Sequence, residues 1–237
     1  MKRTRRAGVR LLVVLGILLL STRASADKPF SISLKGSLTT GSQLFPYPNS
    51  PDEVQRAQYL ALKDIWGYGI ELRYRFPETD IAVALSADYL RTTVTSSIRL
   101  SGKQINVDDG YRVIPLELTG YFIIPISGQI LGVYMGGGGG AYFGHRFYRI
   151  GNTEAPTVGR EVGFGIHVLS GVSYRFNEIF SLVAEMKFRD LQFNSINQFP
   201  SSQIQYGSTL ITVGSTPFES SVHTDGMVVQ LGLVVDL

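Results

Sequence analysis

Eight strand-like segments follow residue 26, and the links between them alternate long, short, long, short, long, short, long. The short links are Pro77–Asp80, Pro125–Gly128 and Asn177–Glu178. The long ones run roughly over Gly41–Lys63, Ser96–Gly110, Gly144–Arg160 and Gln192–Asp225. A chain punctuated in this way folds as a meander. Successive strands are antiparallel, tight turns gather at one end, and both termini lie on the tight-turn side.

Period-two alternation supports strands almost everywhere. The second segment is the clearest. Trp66, Tyr68, Ile70, Leu72, Tyr74 and Phe76 share one face, and Gly67, Gly69, Glu71, Arg73 and Arg75 the other. The first segment sets Phe30, Ile32, Leu34 and Leu38 against Ser31, Ser33, Lys35 and Ser37. The seventh sets Phe180, Leu182, Ala184, Met186 and Phe188 against Ser181, Glu185, Lys187 and Arg189. The fifth, Gln129–Phe143, is too glycine-rich for its facing to be read. The chain is therefore all-β, as its 26 glycines and 25 Phe and Tyr residues suggest.

Alternation alone does not separate a soluble sandwich, apolar inside, from a transmembrane barrel, apolar outside. Three features favour the barrel. Most segments run about 11 to 16 residues, enough for a tilted span. Aromatics collect at both segment ends: Tyr74, Phe76, Tyr121, Phe122, Tyr174, Phe176 and Phe180 beside the short turns, and Tyr89, Tyr111, Phe143, Phe147, Tyr148 and Phe188 toward the long links. Such girdles mark the two faces of a membrane. The chain also ends on a strand. In hydrocarbon an open sheet edge leaves unpaired N–H and C=O groups at several kcal/mol each, so the first and last strands must pair. The expected fold is an eight-stranded antiparallel up-and-down transmembrane β-barrel.

Residues 1–26 read as a leader. Lys2, Arg3, Arg5, Arg6 and Arg10 precede the apolar run Leu11–Leu20, and Ala24-Ser25-Ala26 is a small-x-small cleavage site. The pair Arg5-Arg6 raises twin-arginine export, which its flanking residues fit poorly. Removing the leader leaves 27–237 as one barrel domain with a net charge of −3 rather than +3. That excludes a nucleic-acid footprint. The absence of cysteine excludes disulfides, thiolate metal sites and lipoprotein acylation.

The end Gln230-Leu231-Gly232-Leu233-Val234-Val235-Asp236-Leu237 resembles the C-terminal assembly signal of outer-membrane barrels, with Gln230, Gly232, Val235 and Leu237 at its polar, glycine and hydrophobic positions. The family signal ordinarily ends on an aromatic residue, and this chain ends on Leu237. With Val113–Leu118 and Gly132–Gly140, the chain resembles the small bacterial outer-membrane β-barrel family of the OmpA and OmpX type. The resemblance implies residence in the outer membrane after cleavage near Ala26, contact with outer-membrane lipid and lipopolysaccharide, and delivery by the barrel-assembly machinery. It implies no activity, because that fold hosts several.

An eight-stranded barrel is just wide enough for side chains to fill it. Glu71, Arg73, Arg75, Asp88, Glu117, Glu185, Lys187 and Arg189 are expected to project inward and pair, with Glu117 and Glu185 sharing Arg73 or Lys187. The bland reading is a salt-bridged plug; the sharper one is a narrow polar pore. His167 also faces inward. Lipid hydrolysis of the His-x-Ser kind is disfavoured, because His167 and Ser170 fall on opposite faces of one strand. His145 and His223 show no metal-ligand spacing, and Gly136–Gly140 lacks the Lys-Ser/Thr of a phosphate loop. No catalytic residue, cofactor or metal is expected. Leu44–Lys63 and Gln192–Asp225, with a possible hairpin at Tyr206–Val213, are the candidate contacts for an extracellular partner. The expectation is a structural or surface-interaction barrel. Its alternative is a channel for small polar or amphipathic solutes, and its rival at the level of fold is a secreted soluble barrel.

Overall fold

The computed structural model describes residues 28–100, 103–125, 130–206, 209–224 and 226–237. The leader with its cleavage site and most of the turn at 125–128 lie outside the described residues. The elements are β1 (Phe30–Phe45), α1 (Glu53–Arg56), β2 (Leu60–Arg75), β3 (Ile81–Leu100), β4 (Lys103–Ile123), β5 (Leu131–Ile150), β6 (Thr153–Glu154), β7 (Thr157–Arg160), β8 (Gly163–Arg175), β9 (Phe180–Arg189), β10 (Leu191–Asn197), β11 (Gln203–Tyr206), β12 (Thr209–Thr212), β13 (Phe218–Thr224) and β14 (Met227–Asp236).

Eight of these form a closed antiparallel ring in the order β1-β2-β3-β4-β5-β8-β9-β14. Pairing of β14 with β1, from Ser31 opposite Asp236 to Thr39 opposite Val228, closes it. The tight turns are built locally. The Asn177 side-chain oxygen accepts the N–H groups of Ile179 and Phe180, and Glu78 takes a positive φ of 60° in the β2–β3 turn.

The alternating faces point as a membrane barrel requires. Leu34, Trp66, Ile70, Leu85, Leu118, Phe164, Ile166 and Leu231 are exposed on the outer wall, Phe164 by 77%. So continuous an apolar exterior is far beyond what soluble monomers carry. Facing on β5 is now plain: Tyr134 and Tyr142 point inward, Met135 and Phe143 outward. A Cβ on Gly136 would lie 2.7 Å from the Gly120 carbonyl and 3.2 Å from the Tyr121 ring, so glycine there makes room for Tyr121 inside.

Three expectations are corrected. The long links are largely strand. β3 and β4 pair out to Leu100 opposite Lys103, and β5 reaches Ile150, giving strands of 20, 21 and 20 residues. Above the apolar belt both faces of these strands are wet or covered by the cap, so no clean alternation betrays them. The last link contains β10, which pairs with β13; β13 in turn pairs with the far end of β1. Its hairpin is β11–β12, within 203–212. Finally, Tyr111 and Tyr121 leave the expected girdles and lie buried inside the barrel.

Candidate functional site

The interior is stacked in storeys, each set by inward positions on several strands. In the lower charged storey, Lys35 on β1 donates to Glu71 on β2 at 2.7 Å and to Glu185 on β9 at 2.8 Å. Arg73 grips Glu71 through Nε at 3.1 Å and Nη2 at 2.8 Å, and reaches Glu185 at 3.4 Å. The Tyr121 hydroxyl donates to Glu71 and the Tyr134 hydroxyl to Glu185, each at 2.8 Å. The Arg73 guanidinium also lies 4.0 Å from the Tyr121 ring centroid. Two cations and two carboxylates are thus held with no excess charge.

The storey above repeats the balance. Glu117 accepts Lys187 Nζ at 2.8 Å and meets Arg189 Nε at 2.6 Å, and Arg189 also donates to Asp88 at 2.7 Å. His167 Nε2 lies 2.9 Å from the Thr119 hydroxyl. Ser170 is exposed on the other face of β8, so these two residues form no nucleophile–base pair.

Above the charges sits an apolar storey of Leu44, Leu62, Ile65, Leu90, Tyr111, Val113, Tyr142, Leu191, Phe193 and Val222. Tyr111 donates its hydroxyl to Ser42 at 3.0 Å. Higher still, Arg146 forms a two-pronged pair with Asp109 at 2.8 and 2.6 Å, its guanidinium 4.5 Å from the Tyr148 ring. Ile204 and Ile211 of the β11–β12 hairpin join Ile105, Val107, Ile150, Ala155 and Phe199 in a cap. On its flank, Asp108 accepts from Thr95 and pairs with Arg149; the Thr95 hydroxyl, then Arg149, hold its carboxyl below the usual range.

Seven of the eight expected luminal residues lie in the two charged storeys. Arg75 does not. It is exposed at the short-turn rim, where the alternation of β2 outruns the packed interior, and it makes no ion pair among the described residues. Lys35, outside the expected set, completes the lower storey instead. Glu117 and Glu185 share no cation; each anchors its own network. Lys35 was legible from alternation on the first strand. The Tyr134 donor and the Arg146–Asp109 pair were not, because Tyr134 lies on the glycine-rich strand and Asp109 and Arg146 lie in the long links. At the end of the ring, Gln230 is buried, Leu237 donates its N–H to the Phe30 carbonyl at 2.8 Å, and Gly232 packs against β1.

No protein-family model matches the chain, and no curated protein matches it. Solved structures do. The outer membrane protein OprG from Pseudomonas aeruginosa matches with a TM-score of 0.59 and 15% identity, over 88% of this chain and 95% of that one. Neisserial surface protein A matches with a TM-score of 0.48 and 11% identity, over 88% and 97%. Ail of Yersinia pestis, solved with the heparin analogue sucrose octasulfate, matches with a TM-score of 0.43 and 14% identity, over 88% and 99%. The likeness to OprG is one of fold: an eight-stranded barrel of the small outer-membrane kind.

Proposed function

We propose that this chain, having the fold of a small outer-membrane barrel, spans the bacterial outer membrane as a sealed wall and displays its long-connection end at the cell surface. The observation that carries the reading is the stacking of a charge-balanced storey on another, with an apolar storey above both. Buried charges without partners are costly, whereas here each carboxylate has a cation and each cation a carboxylate. An ion crossing the lumen must break those pairs and then enter the apolar storey. The apolar outer wall supports the membrane against the secreted soluble alternative.

The role is structural or surface-interacting rather than enzymatic. The inward His167 and outward Ser170 support that reading, since they cannot meet. The extended β3–β4 hairpin, the 46–59 connection and the β10–β13 region offer the contacts for an extracellular partner. The last strand serves as the assembly signal through Gln230, Gly232, Val235 and Leu237, with Leu237 in the place of the family's aromatic end.

Conductance in a planar bilayer tests the sealed reading. Wild-type barrel is expected to be silent. A Glu117→Ala, Glu185→Ala barrel, its cations freed, is expected to show openings only if the apolar storey also yields. Stable openings in the wild type would establish the channel alternative instead.

A further inference from the structure

Above the β14–β1 seam, the far end of β1 pairs with β13, and β13 with β10. Their inward side chains Leu44, Val222 and Phe193 belong to the apolar storey. The alternate side chains stand on the outer face. Register sets them in two rows, Phe45–Ser221–Asn194 and Gln43–His223–Gln192, with Glu219 two residues along β13 from Ser221. The 46–59 connection, which carries α1, folds over this patch. Between the two lies a recess of about 380 Å³, with Gln192, Asn194, Ser221 and His223 on the strand side and Asn49 and Arg56 on the connection side. That volume is within the range of small-molecule sites, about 300–1,000 Å³.

The recess is shaped by bonds of its own. The Asn49 amide donates to Glu219 at 2.6 Å and ties the connection to β13. The Asp52 carboxylate accepts the Val54 N–H at 2.9 Å and caps α1, and the Ser50 hydroxyl donates to Gln55 at 3.1 Å. The Phe45 ring lies 5.6 Å from the Tyr59 ring and 4.8 Å from the His223 ring, which gives the recess an aromatic edge. Its two charges stay apart. Arg56 donates to the Ser50 carbonyl at 3.3 Å, and Glu219 is met by Asn49. Neither makes an ion pair among the described residues, although both line the same recess.

We infer that this recess is a binding site for a neutral pyranose sugar of an extracellular glycan. An anion asks for donors alone and a cation for acceptors alone. The recess offers both, from a guanidinium, a carboxylate, amides, a hydroxyl and an imidazole, and its two formal charges cancel. Sugar hydroxyls are donors and acceptors at once, so a ring between Arg56 and Glu219 answers each of them. The apolar face of the ring packs on the aromatic edge at Phe45, as apolar surface does on aromatic rings. The fixed cap of α1 and the Asn49–Glu219 bond mean that little ordering is needed on binding. The inference names a partner for the surface-display reading above and rests on it.

The test presents the mature barrel, in nanodiscs carrying a fluorescent lipid, to a printed array of neutral oligosaccharides and their sulfated and sialylated counterparts. Wild type is expected to bind neutral members above the level of empty nanodiscs. Affinity for the best of them should fall about fivefold in Q192A and about thirtyfold in R56Q, the loss of one neutral and one charge-assisted hydrogen bond. R99Q, an exposed arginine on the distant end of β3, should leave it unchanged. No neutral oligosaccharide bound, preference for the sulfated or sialylated counterparts, or equal affinity in R56Q and R99Q would each overturn the inference. Surface labelling separates its failure from that of the display reading. The chain has no cysteine, so Gln58→Cys, exposed beside the recess, gives a single site for a membrane-impermeant maleimide on intact cells. Labelling without glycan binding sinks the inference alone, and absence of labelling sinks the display on which it rests.

Discussion

Glu117 is fully buried and answers to two cations, Lys187 at 2.8 Å and Arg189 at 2.6 Å. Among the described residues, neutralising it leaves Lys187 with no carboxylate and Arg189 with Asp88 alone. Breaking a buried pair by removing one partner costs about 3–5 kcal/mol. Glu117→Gln is therefore expected to lower the urea unfolding free energy of the vesicle-embedded barrel by that amount. Arg75→Ala, an exposed side chain without an ion pair, should change it by about 0.5 kcal/mol or less. Equal losses in the two variants would show that Glu117 is not held as an ion. The contrast also marks what single residues reveal in sequence. Alternation gave Glu117 and Arg75 the same inward assignment. It carries no information on how far along a strand the packed interior extends, and that limit separates them.

At the scale of elements, the transmembrane stretches were legible because lipid demands an apolar side chain at every second position. β2 shows this from Trp66 to Phe76. Above the belt the demand lapses. Ser96, Ser97 and Arg99 leave the end of β3 only Ile98 and Leu100 as apolar positions, too short a run to mark its pairing with β4 in the sequence. The ion pairs between strands are hidden for another reason. Glu117 and Lys187 are 70 residues apart, and only the register of the closed ring brings them level. The cap is the element whose role is most open to test. Ile204 and Ile211 are register partners on the β11–β12 hairpin, and both are buried in the cap cluster. Burying such a side chain contributes about 1.5–3 kcal/mol. Ile204→Ser with Ile211→Ser is expected to release the hairpin while the ring stays folded. Hydrogen exchange should then show lost protection in 203–212 and unchanged protection across β9 and β14. Loss of protection in β14 as well would mean that the cap and the ring open as one unit.

The whole molecule depends on one pairing that joins its two ends. Every other pair of ring neighbours is consecutive among the barrel strands, but β1 and β14 are separated by the entire barrel. Until they meet, β1 and β14 each present an open edge, which hydrocarbon does not tolerate. Gly232 sits within that seam, opposite Lys35. A Cβ there would lie 2.8 Å from the Leu34 carbonyl oxygen and 2.8 Å from Lys35 Cγ, with Val183 at 3.2 Å on the other side. The backbone contact cannot give way without shifting β1, and the side-chain contact displaces the stem of the lysine that links Glu71 to Glu185. Gly232→Val thus strikes seam closure and the lower charged storey together. A folded barrel migrates faster than its heat-denatured form in an unheated detergent gel. Gly232→Val is expected to lose the fast form, whereas Leu233→Val, an outward exposed position on the same strand, keeps it. A fast-migrating Gly232→Val barrel would show that the seam tolerates a side chain and that closure does not hinge on this close approach.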